Sequence, residues 1–343
     1  MLKLSNHQAS RPRTGAFRDA TGRRKYWAIL LILVLIAAAC TAILLAYKNP
    51  AEPGSVAFWR IANRRADQII AIALTALCQA VGTVVFQTVT ENRIITPSIM
   101  GFDALYRAIH TSTVFFFGVA GMVAADSVGM FGLQIVLMVG LSLVLYGWLL
   151  TGKHGNMHVM LLVGIILGGG LGSVSTFMQR LLTPTEFDVL TSRLYGSVAN
   201  ADRSYYPVAI PLCLVAILVI ALLSKKLNVI ALGKDVAANL GVNHKAVSII
   251  ILIAVAVLMA VSTALVGPMV FLGFLAATLA YQFCDSYDHR FILPMTALVA
   301  YAILTAAYFI MNYVVYSEGV VSIIIEMVGG VVFLIVLLRK GRL

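Results

Sequence analysis

The sequence has 343 residues, of which 61% are hydrophobic and only 11% are charged. A soluble protein cannot hide so much apolar surface, because its exterior must carry polar and charged groups. A helix needs about 20 apolar residues to cross a bilayer, so the chain has material for at most about ten spans. The composition therefore excludes a soluble protein, and the long unbroken apolar runs exclude a transmembrane β-barrel.

The formal net charge is +11. In a soluble protein this excess would suggest a nucleic-acid partner. Here the basic residues crowd the ends of the apolar runs, where they indicate how a chain is oriented in a membrane. We therefore predict the lipid bilayer as a partner, and no nucleic acid.

A basic segment precedes the first apolar run. Residues 1–26 contain seven basic residues and one acidic residue, Asp19, and we predict a disordered cytoplasmic tail over this range. The apolar run that follows, 27–47, is too long for the core of a secretory signal. We therefore expect this run to be retained as the first membrane span.

Ten apolar windows predict an all-α polytopic membrane protein with a single transmembrane domain over 27–343. The windows are 27–47, 68–88, 99–119, 128–150, 157–178, 206–224, 247–265, 268–284, 293–313 and 321–338. An even number of spans places both termini on one side, which collects 17 Lys and Arg residues against 7 on the other. Both termini are therefore predicted to be cytoplasmic.

The third window is the least regular. It contains Asp103, Arg107 and His110, and each charge at mid-membrane would cost about 2.5–3.5 kcal/mol. Asp103 and Arg107 are four residues apart, so they share a helix face and can neutralise each other. Pro97 and Gly101 also interrupt the pattern. We predict a short or partly re-entrant helix packed against protein, with an ion-relay pair as the functional alternative.

The most informative motif is VVFQTVTENRIITPSIMGFD at 84–103. It predicts a helix with a polar end, a turn, and a proline near the start of the next helix. It resembles the LQ…NPLA-P-LG signature of the iron-siderophore, haem and cobalamin permeases of type II ABC importers, and it is most similar to the catechol-siderophore branch, the petrobactin-like one. The matching residues are Gln87, Asn92, Pro97 and Gly101. The resemblance implies a type II importer permease fold.

A second motif, ALGKDVAANLGVN at 231–243, lies between the sixth and seventh windows. It has apolar residues at helical spacing, and Gly241 suits a helix C-cap. Such a short exposed helix must rest on the membrane or on a partner. The segment resembles the family's coupling helix, LG-E-A-LGV, which docks into the ATPase subunit. The resemblance implies this role for Gly233, Asp235, Val236, Ala237, Leu240, Gly241 and Val242, and a simple helical loop is the alternative.

Two further matches extend the resemblance to about 60–340. The segment VGPMVFLGF at 266–274 resembles the family's GPI-FVGL motif, and DHRFILP at 288–294 resembles DHR-LLP. The residues that carry the first match are Gly267, Pro268 and Gly273. The family's PH pair inside the eighth span is absent, which argues against a typical cobalamin transporter.

The ligand path in this family follows the interface of two permease subunits and is lined largely by spans five and ten. Small residues in span five imply either a channel wall or close helix packing. Glu326 lies about five residues, or roughly 8 Å, into span ten, where it needs a cavity or a partner. The candidate pathway residues are Gly168, Gly172, Ser175 and Glu326.

Three arginines, Arg60, Arg64 and Arg65, lie on the predicted external side against the positive-inside trend. Their position resembles a segment that in relatives meets acidic residues of the external binding protein, although the usual proline is absent. Anchoring of the helix end is the alternative interpretation.

The sequence has no phosphate-binding loop of the form G-x-x-x-x-G-K-[ST], and its histidines and four cysteines show no metal-ligand spacing. We therefore expect no catalytic residues, metal or cofactor in this chain. ATP and Mg²⁺ are expected in a partner ATPase only.

The leading hypothesis is the permease subunit of an ATP-driven importer that moves a ferric siderophore of the catechol type across the bacterial plasma membrane. The resemblance implies a second permease subunit, related rather than identical, together with two cytoplasmic ATPases and an external siderophore-binding protein. Import of haem or cobalamin is the first alternative. An ion-coupled secondary transporter with broken spans at Pro97 and Pro268 is the second. A membrane enzyme would need converging ionisable residues within the spans, and these are too few.

Overall fold

The structure is a computed structural model that describes residues 15–17, 19–47, 51–52, 54–151, 157–315 and 321–340. Within these ranges the regular structure is helical and no strand is present. Each of the ten predicted windows contains a helix, which confirms the all-α fold. Most of the predicted tail, residues 1–14 and 18, lies outside the described residues.

The helices follow one another with short connections. In chain order they are α1 (Ala20–Ala46), α2 (Val56–Val89), α3 (Phe102–Ala125), α4 (Val128–Thr151), α5 (Met157–Gln179), α6 (Pro184–Leu194), α7 (Tyr206–Leu222), α8 (Ser224–Ile230), α9 (Lys234–Asn239), α10 (His244–Val266), α11 (Leu272–Phe283), α12 (His289–Ile310) and α13 (Val321–Lys340). A 3-10 turn at Pro97–Met100 precedes α3, and a π-helical turn at Met311–Val315 follows α12. Helices α6, α8 and α9 are the short ones that lie between predicted spans.

Seven described helical segments are long and apolar enough to cross a membrane, and they contain α1, α2, α5, α7, α10, α12 and most of α4. The other three predicted spans are less regular. Helix α3 is interrupted at Gly118, where φ is +64°. Helix α11 has 12 residues and is only about 18 Å long, and the apolar part of α13 is also short.

The first helix begins earlier than predicted, at Ala20 rather than at residue 27. Tyr26 is buried, and its hydroxyl donates to the carbonyl oxygen of Phe291 at 3.1 Å. The ring of Phe17 packs against that of Phe291, with centroids 4.6 Å apart. These contacts against α12 fix the chain before the first span, so the predicted boundary of the disordered tail at residue 26 differs from the structure.

Helix α2 is the centre of the bundle and packs against α10, α11 and α12. It has 34 residues and is about 51 Å long, which exceeds the ~30 Å hydrocarbon core of a bilayer. Buried polar pairs join it to its neighbours. Gln79 donates to the hydroxyl of Ser262 on α10 at 3.1 Å, and the Sγ atoms of Cys78 and Cys213 on α7 are 3.4 Å apart.

Candidate functional site

Gln87 secures the turn at the end of α2. Its Nε2 donates to the carbonyl oxygen of Arg93 at 2.7 Å, and its Oε1 accepts a hydrogen bond from the hydroxyl of Tyr281 on α11 at 3.1 Å. The side-chain oxygen of Asn92 accepts from the backbone N–H of Ile94 at 2.9 Å. Both polar residues of the motif therefore hold backbone in place, with their partners inside the protein.

Pro97 and Gly101 turn the chain from the 3-10 turn into α3. Gly101 has a φ of +94°, which a residue with a side chain rarely adopts. A Cβ atom at Gly168 on α5 would lie 3.2 Å from the Cα atom of Gly101, so the two backbones touch. The predicted break before the third span is confirmed, and Gly168 serves close packing between α5 and this turn.

The segment before α11 is also held by a backbone contact. Gly267 has a φ of +90°, and a Cβ atom there would lie 3.1 Å from the Cα atom of Gly196. Pro268 follows, and helix α11 begins only at Leu272. A Cβ atom at Gly273 would lie 2.0 Å from Oγ1 of Thr83. The glycines of this motif therefore allow α11 to approach α2 and the chain after α6.

His289 connects three helices through its ring. Its Nε2 lies 2.8 Å from Oγ1 of Thr88 on α2, and its Nδ1 lies 2.6 Å from Oδ1 of Asn228 on α8. Asn228 also donates to Oδ1 of Asp288 at 2.9 Å, and the same carboxylate oxygen caps α12 by accepting from the N–H of Arg290. The DHR motif thus ties α2, α8 and α12 together, and Asn228 is a participant that the sequence did not reveal.

The motifs meet around a cavity of about 640 Å³ at one end of the bundle. Its lining includes Gln87, Arg93, Gly233, Tyr281 and His289, one or more residues from each of three motifs. The guanidinium of Arg93 lies 4.7 Å from the ring centre of Tyr281, within range of a cation–π interaction. The three motifs are far apart in the sequence, but their residues are neighbours in the structure.

The 231–243 segment forms the short helix α9 beside this cavity. Gly233 has a φ of +95° before the helix, and Gly241 has a φ of +75° after it, which confirms the predicted C-cap glycine. The backbone N–H of Val242 donates to the carbonyl oxygen of Ala237 at 2.9 Å and closes the helix end. Asp235 lies in the first turn and is exposed.

The side chains of this segment divide into one inward anchor and an exposed apolar surface. Ala237 is completely buried, whereas Leu232, Val236 and Leu240 are 59%, 43% and 60% exposed. We call these three residues the α9 surface. Their exposure agrees with the prediction that this short helix must contact the membrane or a partner.

A second cavity, of about 260 Å³, lies between α3, α5 and α6. It is lined by Arg107, Gly172, Gln179, Thr191 and Tyr195, together with Ser175 and others. Gly172 is therefore a cavity residue. Ser175 is 2% exposed, and its hydroxyl donates to the carbonyl oxygen of Leu171 within its own helix at 2.7 Å.

The charged residues of α3 interact without forming a close ion pair. Asp103 is buried, while Arg107 is exposed on the wall of this second cavity. Among the described residues no ion pair joins them, but Arg107 lies within electrostatic reach of Asp103. Glu326 on α13 is partly buried and lies within the electrostatic reach of Arg107.

The three arginines predicted to be external have different surroundings. Arg65 donates to the carbonyl oxygens of Leu45 and Tyr47 at 3.1 and 2.9 Å, so it binds the C-terminal end of α1, as in the anchoring alternative. Arg60 and Arg64 are exposed on the first turns of α2. In the described part of the chain, no group of three or more His, Cys, Asp or Glu residues is arranged to hold a metal ion.

The long apolar helices and the close glycine contacts between them are those of a polytopic helical membrane protein. The chain shares its fold with a solved metal-chelate type ABC transporter in an inward-facing conformation. The TM-score is 0.77 at 20% sequence identity, covering 92% of this chain and 99% of the other.

The chain belongs to the FecCD transport family, whose model matches residues 27–339. It is 49% identical over 339 residues to the petrobactin import system permease protein FatC of Bacillus anthracis, covering 99% of this chain and 96% of the relative. It is 37% identical over 279 residues to the petrobactin import system permease protein YclO of Bacillus subtilis, covering 81% and 89%. The family predicted from the motifs is thereby confirmed.

Proposed function

We propose that this chain is the permease subunit of an ATP-driven importer that carries a ferric siderophore across the bacterial plasma membrane by alternating access. Membership of the FecCD family over nearly the whole chain supports this function. The two relatives named above are both petrobactin import permeases, which supports a catechol-type siderophore as cargo and disfavours haem or cobalamin. Seven apolar segments of spanning length support a multi-pass location.

Coupling to ATP hydrolysis is the function that we propose for α9. The observation that carries it is the α9 surface, in which three exposed apolar side chains lie on the short helix and at its two ends. Exposed apolar groups that are clustered mark a surface for a partner. We assign this contact to the residues named above for the 231–243 motif, in which Ala237 anchors the helix inside the protein. ATP and Mg²⁺ would bind to the partner ATPase, and this chain would have no nucleotide site of its own.

A charged residue in the α9 surface tests the coupling role. Leu240→Glu should abolish ATP-dependent uptake and reduce co-purification of the ATPase, because a carboxylate cannot enter an apolar interface without a cost. Leu181→Glu is the matched control, since Leu181 is 59% exposed in the turn between α5 and α6, away from α9. Unchanged uptake and ATPase binding in Leu240→Glu would contradict the assignment.

The remaining partners are proposed from the resemblance. A second, related permease would complete the pathway along α5 and α13, two ATPases would bind on the α9 side, and a siderophore-binding protein would dock on the opposite side. Arg60 and Arg64 are the better candidates for that docking, because Arg65 already binds the end of α1. The excess of basic residues on the α9 side supports cytoplasmic termini.

A further inference from the structure

A groove between α7 and α12 lies outside the proposed pathway and outside the α9 surface. Its volume is about 720 Å³. We call it the α7–α12 groove. Its floor is formed by Leu77 and Val81 of α2, and its apolar walls include Ile217 and Ile220 of α7 and Leu293 and Ala297 of α12. The apolar lining extends for about 6–8 Å along each wall helix, from Ile217 to Leu222 on α7 and from Leu293 to Ala297 on α12.

The groove has a cationic end. Lys225, at the start of α8, and Arg290, in the first turn of α12, line it where both helices reach the α9 side of the bundle. Both side chains are exposed, and among the described residues neither forms an ion pair. No carboxylate is present in the lining. The Asp288 carboxylate lies beside this end, where it caps α12, but among the described residues it forms no ion pair with Lys225 or Arg290.

The surface beside the groove is suited to lipid. Leu214, Val215, Leu218 and Leu222 on α7 are exposed apolar residues of a helix long and apolar enough to span a membrane. Such a surface meets acyl chains in a bilayer. The proposed contact with a second permease lies instead along α5 and α13. An apolar channel that ends in two cations at the edge of the membrane matches the two chemical parts of an anionic phospholipid.

We propose that the α7–α12 groove binds an anionic phospholipid, with one acyl chain between α7 and α12 and the phosphate between Lys225 and Arg290. Basic pockets between membrane helices on the cytoplasmic side are typical sites for anionic headgroups. The apolar walls exclude a free phosphate ion as the fitting ligand, because an ion would leave them unfilled.

Retention of lipid by the purified full-length chain tests the site. The chain, with any subunits that co-purify, is incubated with phosphatidylglycerol in mild detergent, and bound lipid is counted by native mass spectrometry. Lys225→Gln with Arg290→Gln should weaken phosphatidylglycerol binding by about 30-fold, because each cation near a headgroup contributes roughly one kilocalorie per mole. Lys226→Gln is the matched control, since Lys226 is an exposed neighbour outside the groove. Equal retention in the double variant and in the control would overturn the proposal.

Two further measurements separate a lipid from a phosphate ion. Ala297→Phe fills the groove and leaves both cations in place, so it should also reduce phosphatidylglycerol binding. Glycerol 1-phosphate, which has the charge but no acyl chain, should not compete. Effective competition by glycerol 1-phosphate, or full lipid binding in Ala297→Phe, would overturn the acyl-chain site. A thermal midpoint measured without added lipid identifies any loss of lipid binding that is due to misfolding. The double variant is a second check, because it changes only exposed side chains.

Discussion

The Nε2 atom of His289 lies 2.8 Å from the hydroxyl of Thr88, so the first turn of α12 is bonded to the last turn of α2. The other ring nitrogen lies 2.6 Å from Oδ1 of Asn228 on α8. Helix α8 leads directly into the segment that carries α9. A displacement of α9 by the proposed ATPase partner would therefore reach the central helix of the bundle through one buried imidazole. We predict on this ground that His289 and Thr88 are positioning residues for coupling.

Thr88→Val tests this transmission because it keeps the shape of the side chain and removes the hydroxyl. His289 then loses a buried hydrogen-bond partner, at a cost of about 1–3 kcal/mol. ATP-dependent uptake in proteoliposomes should fall by about tenfold, while ATP hydrolysis by the assembled complex continues. Thr88→Ser keeps the hydroxyl and should retain most of the uptake. Equal uptake in the valine and serine variants would show that the bond does not transmit the movement.

Gly273→Ala should destabilise the contact between α11 and α2. The added methyl group would lie 2.0 Å from Oγ1 of Thr83 and 2.8 Å from the carbonyl oxygen of Gln79, and the backbone atom cannot rotate away. Overpacking of this kind costs about 1–3 kcal/mol or more, so the thermal midpoint in detergent should fall. Gly140→Ala on α4 is the control, because no atom other than those of the adjoining backbone lies within 4 Å of its added carbon. Equal midpoints for the two variants would contradict the close contact.

The positions of the helices could be predicted because a span is a property of a continuous apolar run. The errors occur where other forces determine a helix end. Helix α2 begins at Val56, well before the window at 68–88, because the side chain of Ser55 caps it there by accepting from the N–H of Phe58. Helix α11 begins late because Gly267 and Pro268 hold the preceding backbone in a non-helical conformation.

The candidate site could be predicted only in part. The motifs gave Gln87 and Gly233 as candidate residues, since a family resemblance is carried by local spacing, and His289 was included only as part of the DHR motif. Their partners are distant in the sequence, with a separation of 194 positions from Gln87 to Tyr281 and of 61 from Asn228 to His289. A single sequence contains no signal for such pairing, because it depends on how the helices cross.

Helix α6 should respond to acid through its N-terminal cap. Glu186 accepts hydrogen bonds from the backbone N–H and the hydroxyl of Thr183, and these bonds lower the pKa of the Glu186 carboxyl below its usual value. The stabilisation is therefore present above that usual value and is lost as pH falls through the lower folded-state pKa. Hydrogen exchange of α6, corrected for the intrinsic effect of pH, should show increased opening only in strong acid.

Glu186→Gln is the control for this pH dependence. The amide oxygen of glutamine can still accept from the Thr183 backbone, but it does not titrate. Protection of α6 should then be independent of pH over the acid range. A persistent acid transition in Glu186→Gln would assign the effect to another group.

Arg107 should recognise the negative charge of the cargo. Its guanidinium is exposed on the wall of the cavity between α3, α5 and α6, without an ion pair in the described part of the chain. A hydrogen bond to a charged group contributes about 1.5–3 kcal/mol, so Arg107→Gln should raise the apparent KM for uptake of a ferric catechol siderophore by about tenfold or more. Glu326→Gln should lower this KM, because the Glu326 carboxylate is a negative charge within electrostatic reach of Arg107. Arg180→Gln changes an exposed arginine outside the cavity and serves as the control. If the two arginine variants transport with the same KM, Arg107 does not contact the cargo.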